Sequence, residues 1–394
     1  MLLTHVEKQN TPLAMVFGVT GQDGSYLSEL LLDKGYRVIG VKRRSSVDTT
    51  ERLKEVNSKC RFELVEGDLT DPSSIMSLMT HFKPDECYNL AAQSHVKTSF
   101  EQPTTTFQIN AVGVLNILEA IRVVSPETKF YQASTSEMFG SNYSTHYETI
   151  RKYSPQEVRK KCIGVNPIED MTATKYQDEN TPLYPNSPYA VAKVAAHNLV
   201  DIYRKAYGLH ASCGILFNHE SPRRGEEFVT RKITKWVAGF QAWKQCSPCG
   251  CRFDYEVGNM DTTAIEGRIF HGMDSYPKLR LGNLDARRDW GHARDYIEGM
   301  WAMLQQDEPD DYLLATGESH TIREFLDAAF KAIGIDDWDN FVVVDPKFYR
   351  PLEVDYLHGR PTKANKVLDW TPKTTFEQLV TEMVESDIDA TQKK

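Results

Sequence analysis

The run Gly18-Val19-Thr20-Gly21-Gln22-Asp23-Gly24 sits between an apolar strand, Ala14 to Phe17, and an apolar helix, Ser25 to Lys34. A strand that turns straight into a helix needs glycine at the bend and wherever backbone must touch a pyrophosphate. The helix N-terminus then offers unpaired N–H donors and the positive end of its dipole, so the run reads as a phosphate site. The helix carries Leu27, Leu30 and Leu31 at helical spacing and stops at Gly35, after which Arg37 to Val41 reads as a second strand. Strands and helices keep alternating as far as about Phe217. That pattern predicts an α/β fold, a doubly wound parallel sheet with helices on both faces.

The spacing G-x-x-G-x-x-G differs from the commoner G-x-G-x-x-G and resembles the short-chain dehydrogenase/reductase superfamily. The resemblance implies a Rossmann-like cofactor domain whose phosphate loop is Gly18, Thr20, Gly21, Gln22, Asp23 and Gly24. An NAD-preferring site would place an acid at the end of the second strand. Here that strand runs into Lys42, Arg43, Arg44, Ser45 and Ser46, donors suited to a 2′-phosphate, so NADP is expected over NAD. Two further strands end in Asp68-Leu69 and in Leu90-Ala91-Ala92-Gln93-Ser94, small or polar residues placed where adenine and ribose would lie.

A length of 394 residues suits one large or two modest domains. The net charge of -9 disfavours nucleic acid as the main partner, because phosphate backbones require clustered Lys and Arg. No apolar run reaches membrane-spanning length, and the polar start, Thr4 to Thr11, lacks the plan of a signal peptide. No membrane partner and a cytoplasmic location are therefore expected. Seven thinly spread cysteines suggest free buried thiols. Cys246, Cys249 and Cys251, with His271 the nearest conceivable fourth ligand, lack a second ligand set, so no metal is expected.

Lys129 to Ala133 reads as a strand ending in Ser134-Thr135-Ser136-Glu137. Residues two apart on an extended chain share a face, which would point Thr135 and Glu137 together at a ligand. Later, Tyr189 and Lys193 stand four apart on a helix opened by Ser187-Pro188 and so share one face. An ammonium beside a phenol lowers its pKa, so a phenolate could take a proton from a sugar hydroxyl that Thr135 also hydrogen-bonds. Hydride transfer alone needs no further carboxylate. Glu137 suggests a second proton abstraction: with carbon 4 of a hexose oxidised, the hydrogen on carbon 5 is acidic and water can leave across carbons 5 and 6. Return of the hydride to carbon 6 would give a 4-keto-6-deoxy sugar with no net redox change.

The glycine loop, Arg43 to Ser46, Leu90 to Val96, the S-T-S-E run, Tyr189 with Lys193, and above all Gly214 to Gly225, G-I-L-F-N-H-E-S-P-R-R-G, resemble the GDP-mannose 4,6-dehydratase family. Phe228 to Lys232, Leu281 to Asp285, Arg287 to His292 and Tyr349 to Asp355 add to the likeness. It implies catalysis by Thr135, Glu137 and Tyr189, with Lys193 supporting Tyr189 and contacting the nicotinamide ribose. It adds His219 and Arg224 to the NADP site, gives Asn218, Val229, Lys232 and Arg287 to the sugar diphosphate, and gives Arg350 and Glu353 to guanosine. A cytoplasmic homo-oligomer, tetramer or dimer, acting on GDP-mannose on the way to GDP-fucose or other GDP-deoxysugars is implied. Its arginine-rich loop, about Arg43 to Arg52, would border a neighbouring subunit's cofactor.

Several features depart from that pattern. Ser141 to Gln177 and Gln245 to Lys278 look inserted, the first as a candidate lid or subunit contact near the active-site mouth, and Thr105 stands where the family has tyrosine. Residues 13–217 read as the cofactor domain, and residues 218–394 as mainly a smaller α/β substrate domain interleaved with it. The rival readings are a 4-epimerase, for which Glu137 is superfluous, a dTDP-glucose type dehydratase, which has aspartate where Ser136 stands, and a non-catalytic NADP sensor.

Overall fold

A computed structural model describes residues 11–149, 171–246 and 276–393. Its centre is a seven-stranded sheet of β1 (Leu13–Phe17), β2 (Arg37–Lys42), β3 (Phe62–Glu66), β4 (Glu86–Asn89), β5 (Lys129–Thr135), β6 (Ala211–Leu216) and β7 (Tyr312–Leu314). The order is β7-β6-β5-β4-β1-β2-β3, with every neighbouring pair parallel. The chain winds outward from β1 in one direction and then from β4 in the other. A crevice therefore opens at the carboxyl ends of β1 and β4, the place where such sheets bind ligands.

Alternation along β1 sorts its residues into two cores. Ala14 and Val16 face α1 (Gln22–Asp33) and α6 (Ala293–Leu304), with Leu27, Leu31, Tyr296 and Met300 buried there. Met15 and Phe17 face α2 (Pro72–Phe82), α3 (Gly113–Val124) and α4 (Pro188–Tyr207), among Ile75, Met79, Ile117, Phe130 and Val200. Each such fully buried side chain contributes about 1.5–3 kcal/mol. A third core, around Trp236, Phe240, Trp290, Phe325 and Phe330, joins α5 (Val229–Cys246), α7 (Ile322–Lys331) and α8 (Phe376–Gln392).

One expectation needs correction. Pro103–Val124 forms one helix of 22 residues that is long and apolar enough to cross a membrane. It packs Val114, Ile117, Leu118 and Ile121 against the sheet instead. Ser141 to Gln177 begins and ends as an antiparallel hairpin, Ser144–Thr149 against Met171–Tyr176. The hairpin is fastened to the 356–358 segment by Tyr356 Oη donating to the Lys175 carbonyl at 2.9 Å and by Gln177 N donating to the His358 carbonyl at 2.8 Å. The rest of that insertion, like Cys249, Cys251, His271 and the Cys246 side chain, lies outside the described residues.

Candidate active site

The phosphate loop takes its shape from backbone packing. Gly18 has φ +79°, and a Cβ added there would sit 2.7 Å from the Ala91 nitrogen, so the turns after β1 and β4 touch only because this residue has no side chain. A Cβ on Gly24 would lie 2.4 Å from the Gly18 carbonyl oxygen, which seats α1 against its own turn. Gly21 caps α1 without a side-chain bond. The turn opens on a cleft of about 1000 Å³, whose wall includes Thr20, Gln22 and Asp23 beside these glycines. Across it stand Asp68, Leu69 and Leu90 to Ser94. A π-helical turn at Gln108–Val112 lets Asn110 bond both the N–H and the carbonyl of Gln93 at 2.9 Å. A side-chain-free turn, a helix N-terminus and basic Lys42, Arg43 and Arg224 on one wall fit a dinucleotide.

Of the five residues expected to read a 2′-phosphate, Lys42 and Arg43 line the cleft; Arg44, Ser45 and Ser46 are exposed and stand off its wall. Thr105 is on the wall. The segment 218–225 crosses from the end of β6 to α1 as a strap. Gln22 Nε2 donates to the His219 carbonyl at 3.1 Å, and Ser221 Oγ donates to Gln22 Oε1 at 2.8 Å. His219 places Nδ1 2.7 Å from the Phe217 carbonyl and Nε2 2.8 Å from Asp23 Oδ2, and it stacks on Tyr296. Burial alone would lower the His219 pKa, but the Asp23 carboxylate outweighs it and holds the value above the usual one. Burial likewise opposes ionisation of Asp23, yet His219 holds its carboxyl below the ordinary range. Arg224 pairs with Glu220 at 3.1 Å, so both strap residues expected at the cofactor line the cleft with part of their bonding already committed.

The residues expected to be catalytic converge at the end of β5. Thr135 ends the strand, but Glu137 belongs to a 3₁₀ turn, Ser136–Phe139, that Thr135 caps by accepting from Glu137 N at 3.3 Å. The two share the cleft through that turn and not through strand alternation. Ser187 Oγ accepts from Ala190 N at 3.1 Å and opens α4, which sets Tyr189 in the first turn and on the cleft wall with Thr135. Lys193, one turn on and 3% exposed, donates to the Ala133 carbonyl at 2.8 Å. Here the sequence-based expectation of a lowered phenol pKa fails for the ligand-free cleft. Burial pushes Tyr189 up to about 12, partly offset by the Thr135 hydroxyl and reinforced by the Glu137 charge. Burial also pushes Lys193 down to about 8. The amine lies 5.9 Å from the Tyr189 ring centre and gives one of its three N–H donors to Ala133.

Beyond Glu137 the charges alternate. Arg350 Nη1 lies 3.3 Å from Glu137 Oε1 and 3.6 Å from Glu353 Oε1, and Glu353 Oε1 accepts from buried Arg288 Nη2 at 3.0 Å. In this structure Arg350 therefore sits on the catalytic carboxylate and on the cleft wall. Asn218 is on the wall, but Val229, Lys232, Arg287 and Glu353 are not. Val229 packs on the third core, the Lys232 ammonium lies 3.8 Å from the Phe348 ring centre, and Arg287 donates to the Ser319 carbonyl. The R-R-D-W-G-H run is mostly structural. Asp289 is fully buried and accepts from Thr316 N, Gly317 N and Gly359 N, while His292 caps α6.

Arg223 on the cleft wall and Arg288 behind Glu353 have no role in the sequence-based reading, and Arg52, expected there only as the end of a loop bordering a neighbouring subunit, lines this chain's own cleft. Arg52 bonds Arg223 across 171 residues, so no local spacing announces it. The paired arginines of the strap and of the R-R-D-W-G-H run were the available signals for the other two.

A model of the NAD dependent epimerase/dehydratase family matches residues 14–315, and one of GDP-mannose 4,6 dehydratase matches residues 253–383. The chain is 45% identical to GDP-mannose 4,6 dehydratase 1 of Arabidopsis thaliana, covering 96% of this chain and 90% of that one. It is 42% identical to GDP-mannose 4,6 dehydratase of Drosophila melanogaster, covering 97% and 87%. Among solved structures, a dTDP-glucose 4,6-dehydratase of Bacillus anthracis in complex with NAD has a TM-score of 0.70 at 19% identity, covering 95% and 96%. Near-complete coverage at these identities, over a sheet and a cleft of this form, places the chain in the GDP-mannose 4,6-dehydratase family.

Proposed function

We propose that this protein is a hydro-lyase converting GDP-mannose to GDP-4-keto-6-deoxymannose, with NADP as resident cofactor, at the start of a route to GDP-fucose or other GDP-deoxysugars. The observation that carries the reading is the placement of Glu137 on a Thr135-capped turn, in one cleft with Tyr189 and Lys193. The bound cofactor supplies a hydride acceptor and, later, its donor. Tyr189, as the phenolate that the Lys193 ammonium and the positive charge of an oxidised nicotinamide would favour in the loaded cleft, would take the proton of the sugar 4-hydroxyl, helped by Thr135 on the same oxygen, while Lys193 would hold the ribose. Glu137 removes the hydrogen on carbon 5 once carbon 4 is a ketone, a step general bases assist by about 10²–10⁴-fold. An epimerase has no use for that carboxylate. Incubation with GDP-mannose should yield a 4-keto product; turnover of dTDP-glucose or UDP-glucose in its place would refute the assignment.

NADP over NAD rests on Lys42 and Arg43 at the end of β2, both on the cleft wall. Equal dissociation constants for the two would sink this preference. The oligomer reading, dimer or tetramer, draws support from apolar side chains exposed on α4, namely Val191, Ile202 and Tyr207, and from Val123 on α3. Light scattering that finds a monomer at assay concentration would refute it. A cytoplasmic setting agrees with Cys87 and Cys213, buried and unpaired.

A further inference from the structure

We propose that Arg52 is a clasp that closes a ring of protein over the bound dinucleotide and sets how slowly it leaves. The inference rests on the reading of the cleft as a nicotinamide dinucleotide site. Arg52 belongs to a 3₁₀ turn, Glu51–Leu53, whose Leu53 is fully buried, so the arginine springs from a fixed base. Its Nε donates to the Arg223 carbonyl at 2.8 Å, and its Nη1 reaches the Thr20 carbonyl at 3.4 Å. One guanidinium thereby ties the phosphate loop to the strap. The strap is fastened in turn to α1: Arg223 Nη2 pairs with Glu29 at 2.8 Å, Nη1 donates to Ser25 Oγ at 3.0 Å, and the guanidinium lies 4.0 Å from the Tyr26 ring centre. Thr20, Arg52, Arg223 and the start of α1 thus form a closed loop of contacts, and both arginines line the cleft.

A dinucleotide whose pyrophosphate rests on the glycine turn would leave only when that loop opens. Retention has a purpose in a reaction that lends a hydride and takes it back on one sugar, because early loss of the cofactor would strand the oxidised sugar. Two carbonyl acceptors suit a planar guanidinium with several N–H donors; a lysine in its place could reach one of them well. Arg52 acts through the strap, as a positioning residue.

The test follows release of NADPH from loaded protein by loss of its fluorescence when excess NADP is added. Arg52→Met should speed release at least 10-fold with the association rate changed less than about 3-fold, and Arg52→Lys should fall between Met and wild type. Glu29→Gln, which alters the ring at the Arg223 side, should speed release several-fold, and the double variant Arg52→Met/Glu29→Gln should be no faster than Arg52→Met alone. An inert Glu29→Gln, or a double variant whose effects multiply, would reduce Arg52 to a plain phosphate ligand and overturn the clasp. An unchanged release rate in Arg52→Met, or in Arg52→Lys and Glu29→Gln if the methionine variant does not fold, overturns it too. Failure of wild-type protein to bind NADPH would count against the site reading itself, a result separable from all of these.

Discussion

At the glycine-turn end of the cleft, backbone meets backbone and the strap is bonded to α1 along its first two turns; at the Arg350 end, two arginines and two glutamates alternate and hold one another. The first arrangement depends on what is missing, a Cβ at Gly18 and at Gly24, and cannot rearrange without breaking the sheet crevice. The second depends on long side chains with several possible partners, and Tyr349 and Leu352 beside it are exposed. A resident cofactor suits the fixed end. A substrate that must come and go suits the end whose charges can be exchanged for those of a diphosphate.

Substitutions at each end test this contrast. The largest effect is expected where the mobile end meets chemistry: Glu137→Gln should lower turnover of GDP-mannose about 10³-fold, roughly 4 kcal/mol, while NADP affinity changes less than about 2-fold. Product assay and cofactor titration on the same preparation decide it, and full turnover would remove the base assigned here. At the fixed end, Gly24→Ala should cost about 2–3 kcal/mol in urea unfolding and weaken NADP binding together, because its Cβ would fall 2.4 Å from the Gly18 carbonyl oxygen. A variant as stable as wild type would show that the turn yields more easily than the packing implies. Arg350→Ala should raise KM for GDP-mannose about 10-fold, about 1.4 kcal/mol. An unchanged KM would mean that the charge chain does not reorganise around substrate.

The same contrast explains what was legible in the sequence. Alternating Ala14, Met15, Val16 and Phe17 announced a strand buried on both faces, because period-2 packing is a local property. Thr135, Tyr189 and Lys193 were legible from residue type and spacing. The turn that carries Glu137 was not, since a hydroxyl capping a 3₁₀ turn looks in sequence like the end of a strand. The pairing of Glu137 with Arg350 spans 213 residues, and that of Arg52 with Arg223 spans 171. Such long-range charge contacts depend on how distant segments of the chain pack together. The raised phenol pKa was hidden for a related reason: burial outweighed the Thr135 hydroxyl and the Arg224 charge, and burial is a property of the fold.

The smallest predicted effect concerns the contact between the strap and α1, His219 with Asp23, whose side chains are 10% and 22% exposed. His219 is raised from its ordinary 6.5, so its contribution to stability is complete below 6.5 and is lost as pH rises through the higher folded value. Asp23 is depressed from 3.8, so its contribution is present above 3.8 and is lost as pH falls through the lower folded value. Both contributions therefore coexist from 3.8 to 6.5. Asp23→Asn should cost about 1–2 kcal/mol near pH 5.5 and less as pH rises through the raised His219 value, above which the imidazole is neutral and little charge remains to be lost. Denaturant unfolding of both proteins across that range measures the difference. A cost that stays constant with pH would mean that the contact acts as an uncharged hydrogen bond, and that the fixed end of the cleft owes its rigidity to packing alone.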